Sequence, residues 1–279
     1  MSTTPDAVSA SITYLLPPPN GERAYQTINA DPTIGDRRKN IIRKDFDALI
    51  ENVRGKEHTF TLDNAGFQYA HRPTTFKDFR DDKKVLEDYY PESEALIKDL
   101  TGASRVVFFD HTRRLRRPGE LDDAPDRRQP VAQAHVDQTT ASSIARVHRH
   151  LPPTDAPALL RRRFQIVNLW RPIGNPALDW PLALCDYRSV DAKQDTFPVA
   201  LVYPDREGET MGVKHNPNHQ WKYLRGMTPD EVVMIKCFDS IEDGSVARFT
   251  PHTGFQDPTT PAGAPFRESI ELRALVFYD

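Results

Sequence analysis

Two histidines and one aspartate have the residue types and the spacing of a metal site. His135 and Asp137 are separated by one residue, so on a β-strand both side chains would leave the same face. His252 lies far downstream in the segment Thr250-Pro-His-Thr-Gly254. Two imidazoles and one carboxylate form a facial triad, which leaves coordination positions open and is typical of non-haem Fe(II) oxygenases. We therefore predict that His135, Asp137 and His252 bind Fe(II).

The last apolar strand of the chain, predicted over 267–278, has the residues of a carboxylate anchor. An Fe(II) oxygenase of this type commonly reduces O2 with 2-oxoglutarate, whose far carboxylate requires a cation, and the planar fork of arginine fits a carboxylate bidentately. Arg267, Ser269, Glu271 and Arg273 share one face of this strand. We predict Arg267 with Ser269 as the anchor and Arg273 as the alternative. Pairing of either arginine with Glu271 or Glu268 is the competing structural explanation.

Other polar residues near predicted strands are secondary candidates. Arg171 follows the strand signal 165–170 and could bind the inner carboxylate of the cosubstrate or an acidic substrate, although a structural Arg-Pro strand end explains it equally well. Asn168 and Gln133 are weaker candidates. His215 and His219 have helical spacing, but the intervening Asn-Pro-Asn opposes a helix, so we predict that both are surface residues.

Composition indicates a soluble globular protein rather than a fibrous, nucleic-acid-binding or membrane protein. Hydrophobic residues make up 38% of the 279, and the net charge is −3, with no basic face suited to phosphate backbones. Two cysteines, no leader signal and no long apolar run predict a cytoplasmic, reduced protein with no nucleic-acid or membrane partner. The arginine clusters 113–117 and 161–163 are interpreted as solvated surfaces.

The elements around these residues predict a mainly β fold with flanking helices. Residues 75–100 have helical periodicity, with Asp78 or Thr75 as the cap, Pro91 at a break or a second start, and Gly102 as a stop. Residues 111–130 are predicted to form a surface loop, followed by a metal-binding strand at 131–138 and helical segments at 142–150 and 155–163. Short strands then dominate. We predict a double-stranded β-helix (jelly roll) in one oxygenase domain, with 1–130 packed on a core of 131–279.

Six segments together resemble the fungal gibberellin-desaturase and aspergillic-acid hydroxylase group of Fe(II)/2-oxoglutarate-dependent oxygenases. They are Ala134-His-Val-Asp-Gln138, Asn168-Leu-Trp-Arg-Pro-Ile173, Leu182-Ala-Leu-Cys-Asp186, Lys236-Cys-Phe-Asp-Ser240, Phe249-Thr-Pro-His-Thr-Gly-Phe255 and Arg267-Glu-Ser-Ile-Glu-Leu-Arg273. The resemblance implies a jelly roll, Fe(II) at His135, Asp137 and His252, 2-oxoglutarate and O2 as cosubstrates, and oxidation of a small molecule in secondary metabolism. Hydroxylation, desaturation and oxidative ring closure all remain open, as does the oligomeric state.

Two other functions use the same residues. A zinc ion in the same triad, with a bound water, would give a hydrolase. A jelly-roll binding protein without catalysis is the second alternative. Neither gives the arginine-bearing strand the role that 2-oxoglutarate would give it, so we rank both below the oxygenase.

Overall fold

The strands of the computed structural model form two sheets that curl into the predicted double-stranded β-helix. The structure describes residues 5–28, 39–120, 122 and 128–279. Within these residues the strands are β1 (Ala7–Leu16), β2 (Tyr25–Thr27), β3 (Ile42–Asn52), β4 (Phe67–His71), β5 (Arg105–Leu115), β6 (His135–Val136), β7 (Phe164–Pro172), β8 (Leu182–Cys185), β9 (Thr196–Val202), β10 (Glu207–Val213), β11 (Trp221–Tyr223), β12 (Glu231–Asp239), β13 (His252–Gly254) and β14 (Glu268–Phe277).

The two sheets enclose an apolar core and leave one end for polar side chains. The larger sheet has the order β1-β3-β11-β8-β13-β6-β10-β9-β2, and the smaller has the order β4-β12-β7-β14-β5. Phe67, Trp170 and Val233 of the smaller sheet pack against Leu184 and Met227 from the other side. This packing fixes the distance between the sheets, so side chains from β6, β13 and β14 can meet in the interior.

The outer face of the smaller sheet is covered by the first helices. These are α1 (Asp82–Lys84), a π-helical segment (Val85–Tyr89) and α2 (Tyr90–Thr101). Two later helices, α3 (Thr140–His150) and α4 (Ala156–Leu159), pack against Ile166, Cys237 and Leu275 on the opposite face of that sheet. Alternate residues of β14, namely Ile270, Leu272, Ala274 and Val276, pack with α2 in one apolar cluster. The polar residues of β14 therefore face the interior, as the alternation in the sequence predicts.

The helical zone begins later than predicted and ends where predicted. Asp81, rather than Asp78 or Thr75, caps α1, because its carboxylate accepts the backbone N–H groups of Lys83 and Lys84. Pro91 occupies the first turn of α2, where its missing N–H costs nothing. Gly102 ends α2 with a φ of 71°, a left-handed conformation that favours glycine.

Three predicted segment boundaries are wrong. The strand before the supposed loop 111–130 continues through Leu115 as β5, and part of that loop lies outside the described residues. The metal-binding strand is reduced to His135 and Val136, with Asp137 in a bend. Residues before 131 contribute β1 to β5 to the two sheets, and the highly exposed β3 was not predicted. Among the described residues, no helix has the length and hydropathy needed to cross a bilayer.

Candidate metal centre

Strand pairing places the two histidines side by side. β6 lies between β13 and β10, and within this arrangement His135 is the register partner of His252. Directly paired residues of an antiparallel sheet project from the same face. The two imidazole centroids are accordingly 4.4 Å apart, although the residues are distant in sequence.

Backbone carbonyls fix the tautomer of both rings. His135 Nδ1 lies 2.9 Å from the Gln133 carbonyl oxygen, and His252 Nδ1 lies 3.0 Å from that of Thr250. A carbonyl oxygen can only accept, so each Nδ1 carries a proton, and the neutral form of each ring presents its lone pair at Nε2. Burial and the neighbouring His135 lower the pKa of His252 to about 4, so its ring is neutral near pH 7. This is the protonation state that a metal ligand requires.

Asp137 completes the set and is oriented by an amide. Its Oδ1 lies 3.3 Å from His135 Nε2 and 3.8 Å from His252 Nε2. Its Oδ2 accepts a 2.7 Å hydrogen bond from Asn168 Nδ2 on β7. Burial opposes ionisation, but His135, His252 and Arg273 outweigh it and hold the pKa of Asp137 well below its ordinary range.

The three donors fit one divalent metal ion. One ligand atom from each residue lies within 4.8 Å of the other two. Adjacent ligands bound at about 2.1 Å to one ion stand about 3 Å apart, so the observed distances need only small side-chain movements to close on an ion. Two imidazoles and one carboxylate on one side leave the opposite positions open. The predicted convergence of His135, Asp137 and His252 is therefore present in the structure.

Arg267 is a buried cation with unused hydrogen-bonding capacity. It lies at the start of β14 and is 2% exposed, with Nη1 donating to the Trp180 carbonyl at 2.7 Å. Its guanidinium stacks 5.7 Å from the centre of the Trp170 ring. Arg267 Nε and Ser269 Oγ are both buried without a hydrogen-bond partner among the described residues. Burial and the charge of Arg114 lower the pKa of Arg267 to about 9, which leaves it charged near pH 7.

Arg273, the alternative anchor, is occupied by protein carboxylates. Its Nε donates to Asp110 Oδ1 at 2.6 Å, and its Nη2 donates to Thr112 Oγ1 at 2.5 Å. Its Nη1 lies 3.9 Å from Asp137 Oδ2 and 3.7 Å from Glu271 Oε1. Although burial opposes it, these acidic neighbours raise the pKa of Arg273. The sequence-based pairing of an arginine with Glu271 thus applies to Arg273, whereas the Arg267 guanidinium has no carboxylate within ion-pair distance among the described residues; only its backbone N–H donates to a carboxylate, that of Asp179.

Arg171 does not reach the metal centre. Its Nε donates to the Tyr89 hydroxyl at 2.8 Å, and its Nη1 donates to the carbonyls of Arg72 and Pro229. The side chain therefore leaves the helix-covered face of β7, opposite to Asn168. Its contacts correspond to the structural alternative, and the predicted cosubstrate contact of Arg171 is wrong.

Several polar residues near the site were missed because the strand predicted over 104–109 was ended too early. Arg114 was assigned to a solvated cluster, yet on β5 it is the register partner of Ser269 and faces the interior. Asp110 and Thr112 alternate with it and hold Arg273. The available signal was the polar alternation Asp110, Thr112, Arg114, which continues the strand that begins at Arg105.

Two other predicted surface groups make specific internal contacts. Arg163 is part-buried and joins an ion cluster with the buried Asp239 and Lys236 and the half-exposed Asp63, in which Lys236 Nζ lies 2.7 Å from Asp239 Oδ2. The ring of His219 is buried, in contact with Asp195 Oδ2 at 3.0 Å and the Tyr14 hydroxyl at 3.1 Å. The surface assignment of His219 is therefore wrong, whereas Arg163 is partly exposed and also bridges two carboxylates.

A cavity of about 860 Å³ opens onto the metal centre. His135, Asp137 and Arg273 form its inner end, and α3 and the β9–β10 hairpin form parts of its wall. A space of this size admits a small organic molecule beside the open coordination positions.

Comparisons with known proteins place the chain among fungal oxygenases. A family described as "Oxidoreductase/YMDC permease-like domain" matches residues 12–277. The chain is 36% identical to the hydroxylase/desaturase efuI of Hormonema carpetanum over 83% of each chain. It is 33% identical to the Fe(II)/2-oxoglutarate-dependent dioxygenase nvfI of Aspergillus novofumigatus, over 92% of this chain and 91% of that one. A solved structure titled iron and alpha-ketoglutarate-dependent endoperoxidase NvfI superposes with a TM-score of 0.87 at 29% identity, covering 99% of each chain.

Proposed function

The chain belongs to the Fe(II)/2-oxoglutarate-dependent oxygenases of fungal secondary metabolism, and we propose that His135, Asp137 and His252 hold its iron. As a member of this family it is an oxidoreductase that uses Fe(II), 2-oxoglutarate and O2 to oxidise a C–H bond of a small metabolite. The observation that carries the residue assignment is the convergence of two Nε2 atoms and one carboxylate oxygen within 4.8 Å. A zinc hydrolase with the same triad has no use for the buried Arg267, and no relative described above is one.

The cosubstrate assignment rests on Arg267 and Ser269. Their buried polar atoms lack partners among the described residues, whereas Arg273 is occupied by Asp110. Because a buried, unpaired guanidinium is costly, an incoming carboxylate would supply the contact that Arg267 lacks. We therefore assign the far carboxylate of 2-oxoglutarate to Arg267 and Ser269.

The roles of the protein groups follow from this assignment. Iron with 2-oxoglutarate and O2 supplies the oxidant that removes hydrogen from the substrate. His135 and His252 would bind the metal through Nε2, because backbone carbonyls hold their Nδ1 protons. Asn168 orients Asp137 by holding Oδ2, which leaves Oδ1 for the metal. The cavity walls position the substrate and limit the access of water to the reacting centre.

Three further proposals concern the type of oxidation, the domain organisation and the cellular location. The relatives include hydroxylase/desaturases and an endoperoxidase, so we include oxygen insertion of the endoperoxide type beside hydroxylation, desaturation and ring closure. We also propose that residues 1–279 form one oxygenase domain, since strands from both halves of the chain share the two sheets. Buried free thiols at Cys185 and Cys237 support a reducing, cytoplasmic location.

The decisive experiment measures iron content and O2-dependent succinate release together. Wild-type protein should bind one Fe(II) and release succinate from 2-oxoglutarate, whereas His135→Ala and His252→Ala should lose both properties while remaining folded. His58→Ala changes an exposed histidine remote from the triad and serves as the matched control. Full iron binding by either triad variant would contradict the ligand assignment.

A further inference from the structure

One part of the cavity wall is formed by a face of α3 that carries two arginines. α3 begins at Thr139, whose hydroxyl accepts the backbone N–H of Ser142 in a capping box. Ser143 and Val147 are buried on its inner side. The other side presents Ala141, Ser142, Ala145, Arg146 and Arg149 to the cavity. Small residues in the first turns leave room for a ligand, and the two arginines follow at the far end.

Arg146 is held in place without a carboxylate. Its guanidinium carbon lies 5.0 Å from the centre of the Phe109 ring, a cation–π arrangement that fixes its plane. Among the described residues, no carboxylate lies within ion-pair distance of Arg146 or Arg149. The carboxylate of Asp110 attracts Arg146 electrostatically, but it already accepts a 2.6 Å hydrogen bond from Arg273. Burial and the charges of Arg273 and Arg149 lower the pKa of Arg146.

Two other arginines of the same cavity differ from Arg146 and Arg149 because they have carboxylate partners. Arg23 pairs with Glu207, and Arg206 pairs with Asp205 while stacking on Tyr203. Arg146 and Arg149 lie three residues apart on one helix face, so their positive charges lie close together and can act on one anionic ligand. Guanidinium forks match the geometry of a carboxylate.

We propose that Arg146 and Arg149 bind an acid group of the substrate, so that the enzyme acts on a small metabolite that carries a carboxylate. This inference rests on the proposed function, because it assigns the remote end of the molecule that the iron oxidises. The carboxylate lies against α3, the body of the molecule occupies the space beside Ala141 and Ala145, and the reacting carbon points to the open positions of the iron. The two arginines are thus positioning residues that select the substrate.

A matched pair of fluorescent probes tests the assignment without knowledge of the natural substrate. The probes are 4-(1-pyrenyl)butanoic acid and 4-(1-pyrenyl)butan-1-ol, which differ in the presence of the carboxylate. Both are titrated anaerobically into the full-length protein loaded with Fe(II) and 2-oxoglutarate. The double variant Arg146→Gln/Arg149→Gln is compared with Arg161→Gln/Arg162→Gln, which loses the same charge from exposed arginines outside the cavity wall.

The acid should bind wild-type protein at least about tenfold more tightly than the alcohol, and the cavity variant should lose about tenfold or more of that affinity. Alcohol binding and the Arg161/Arg162 control should remain unchanged. Equal affinities for acid and alcohol, unchanged acid binding by the cavity variant, or displacement of the acid by added 2-oxoglutarate would each overturn the proposal. The visible absorption of the iron–2-oxoglutarate complex is read in the same samples. Its absence from wild-type protein would instead contradict the proposed function.

Discussion

Replacing Arg267 by alanine is expected to weaken 2-oxoglutarate binding without loosening the iron site. The substitution removes a guanidinium that touches no metal ligand, and its hydrogen-bond acceptor is the Trp180 carbonyl. The backbone of β14 and the metal triad stay in place. The variant therefore separates cosubstrate binding from metal binding.

The expected magnitude follows from the burial of Arg267. Truncating one partner of a buried charge pair costs about 2–5 kcal/mol, which corresponds to a Kd about 30-fold to several thousandfold higher. Stability should change much less, because two effects oppose each other. Alanine loses the bond to Trp180 and the stacking on Trp170, but it also removes a buried cation whose pKa is lowered to about 9 by desolvation.

The assay compares two 2-oxo acids that differ at the far end. 2-Oxopentanoate keeps the groups that bind iron but has a methyl group where 2-oxoglutarate has its far carboxylate. Anaerobic titration of the Fe(II)-loaded protein gives Kd for each acid through the visible absorption of the complex. Arg267→Ala should weaken the binding of 2-oxoglutarate and leave that of 2-oxopentanoate unchanged, and Arg162→Ala should affect neither.

An equal loss for both acids would refute the reasoning, because the substitution would then act through the fold rather than through the carboxylate contact. The variant Arg273→Gln provides the competing test. A selective loss of 2-oxoglutarate binding in that variant, with none in Arg267→Ala, would transfer the anchor to Arg273.

Three further predictions concern groups around the triad and in the core. Asn168→Ala should weaken iron binding about 10- to 100-fold, measured by competition with a chelator, because its amide orients the ligand carboxylate; unchanged affinity would contradict this. Gly66→Ala should destabilise the fold by about 2–4 kcal/mol and reduce iron binding, because a Cβ at this position would clash with Phe249 and Thr250, which precede His252. The control Gly55→Ala has the same φ of 87° but open space around it, so it should cost only about 1 kcal/mol. Asp239→Asn should cost about 3 kcal/mol near pH 7 by leaving Lys236 with only a half-exposed carboxylate partner. Burial raises the pKa of Asp239, but the cations of the cluster outweigh burial and lower the folded pKa. The stabilisation is therefore present above the unfolded pKa and is lost as pH falls through the folded pKa. The free energies of unfolding of wild type and variant, measured with denaturant, should converge in acid, and a difference that does not change with pH would contradict this.

Residue types and strand parity were sufficient to predict the triad and the polar face of β14. His135 and Asp137 leave one face even though β6 is only two residues long, because the alternation persists through the bend at Asp137. The pairing of His135 with His252 could not be read from spacing, because it depends on which strands become neighbours in a nine-stranded sheet.

The missed features share a physical cause, which is that burial depends on tertiary partners. β3 is mostly exposed, so its charged residues carry no apolar alternation. His219 is buried by Tyr14, which is distant in sequence. Arg114 has the composition of a surface residue and becomes internal only because β5 pairs with β14.

The same strand pairing favours Arg267 over Arg273 as the proposed anchor, a choice that sequence parity leaves open. Arg267 and Arg273 occupy the same face of β14, so alternation alone gives each the same access to the interior. In the register of β5, however, Asp110 lies directly opposite Arg273 and neutralises it. No acidic residue of β5 is the partner of Arg267, which precedes the paired region and meets a backbone carbonyl and an indole face instead. Arg273 is thus paired with Asp110 and lies beside Asp137, whereas the charge of Arg267 remains available to an incoming carboxylate.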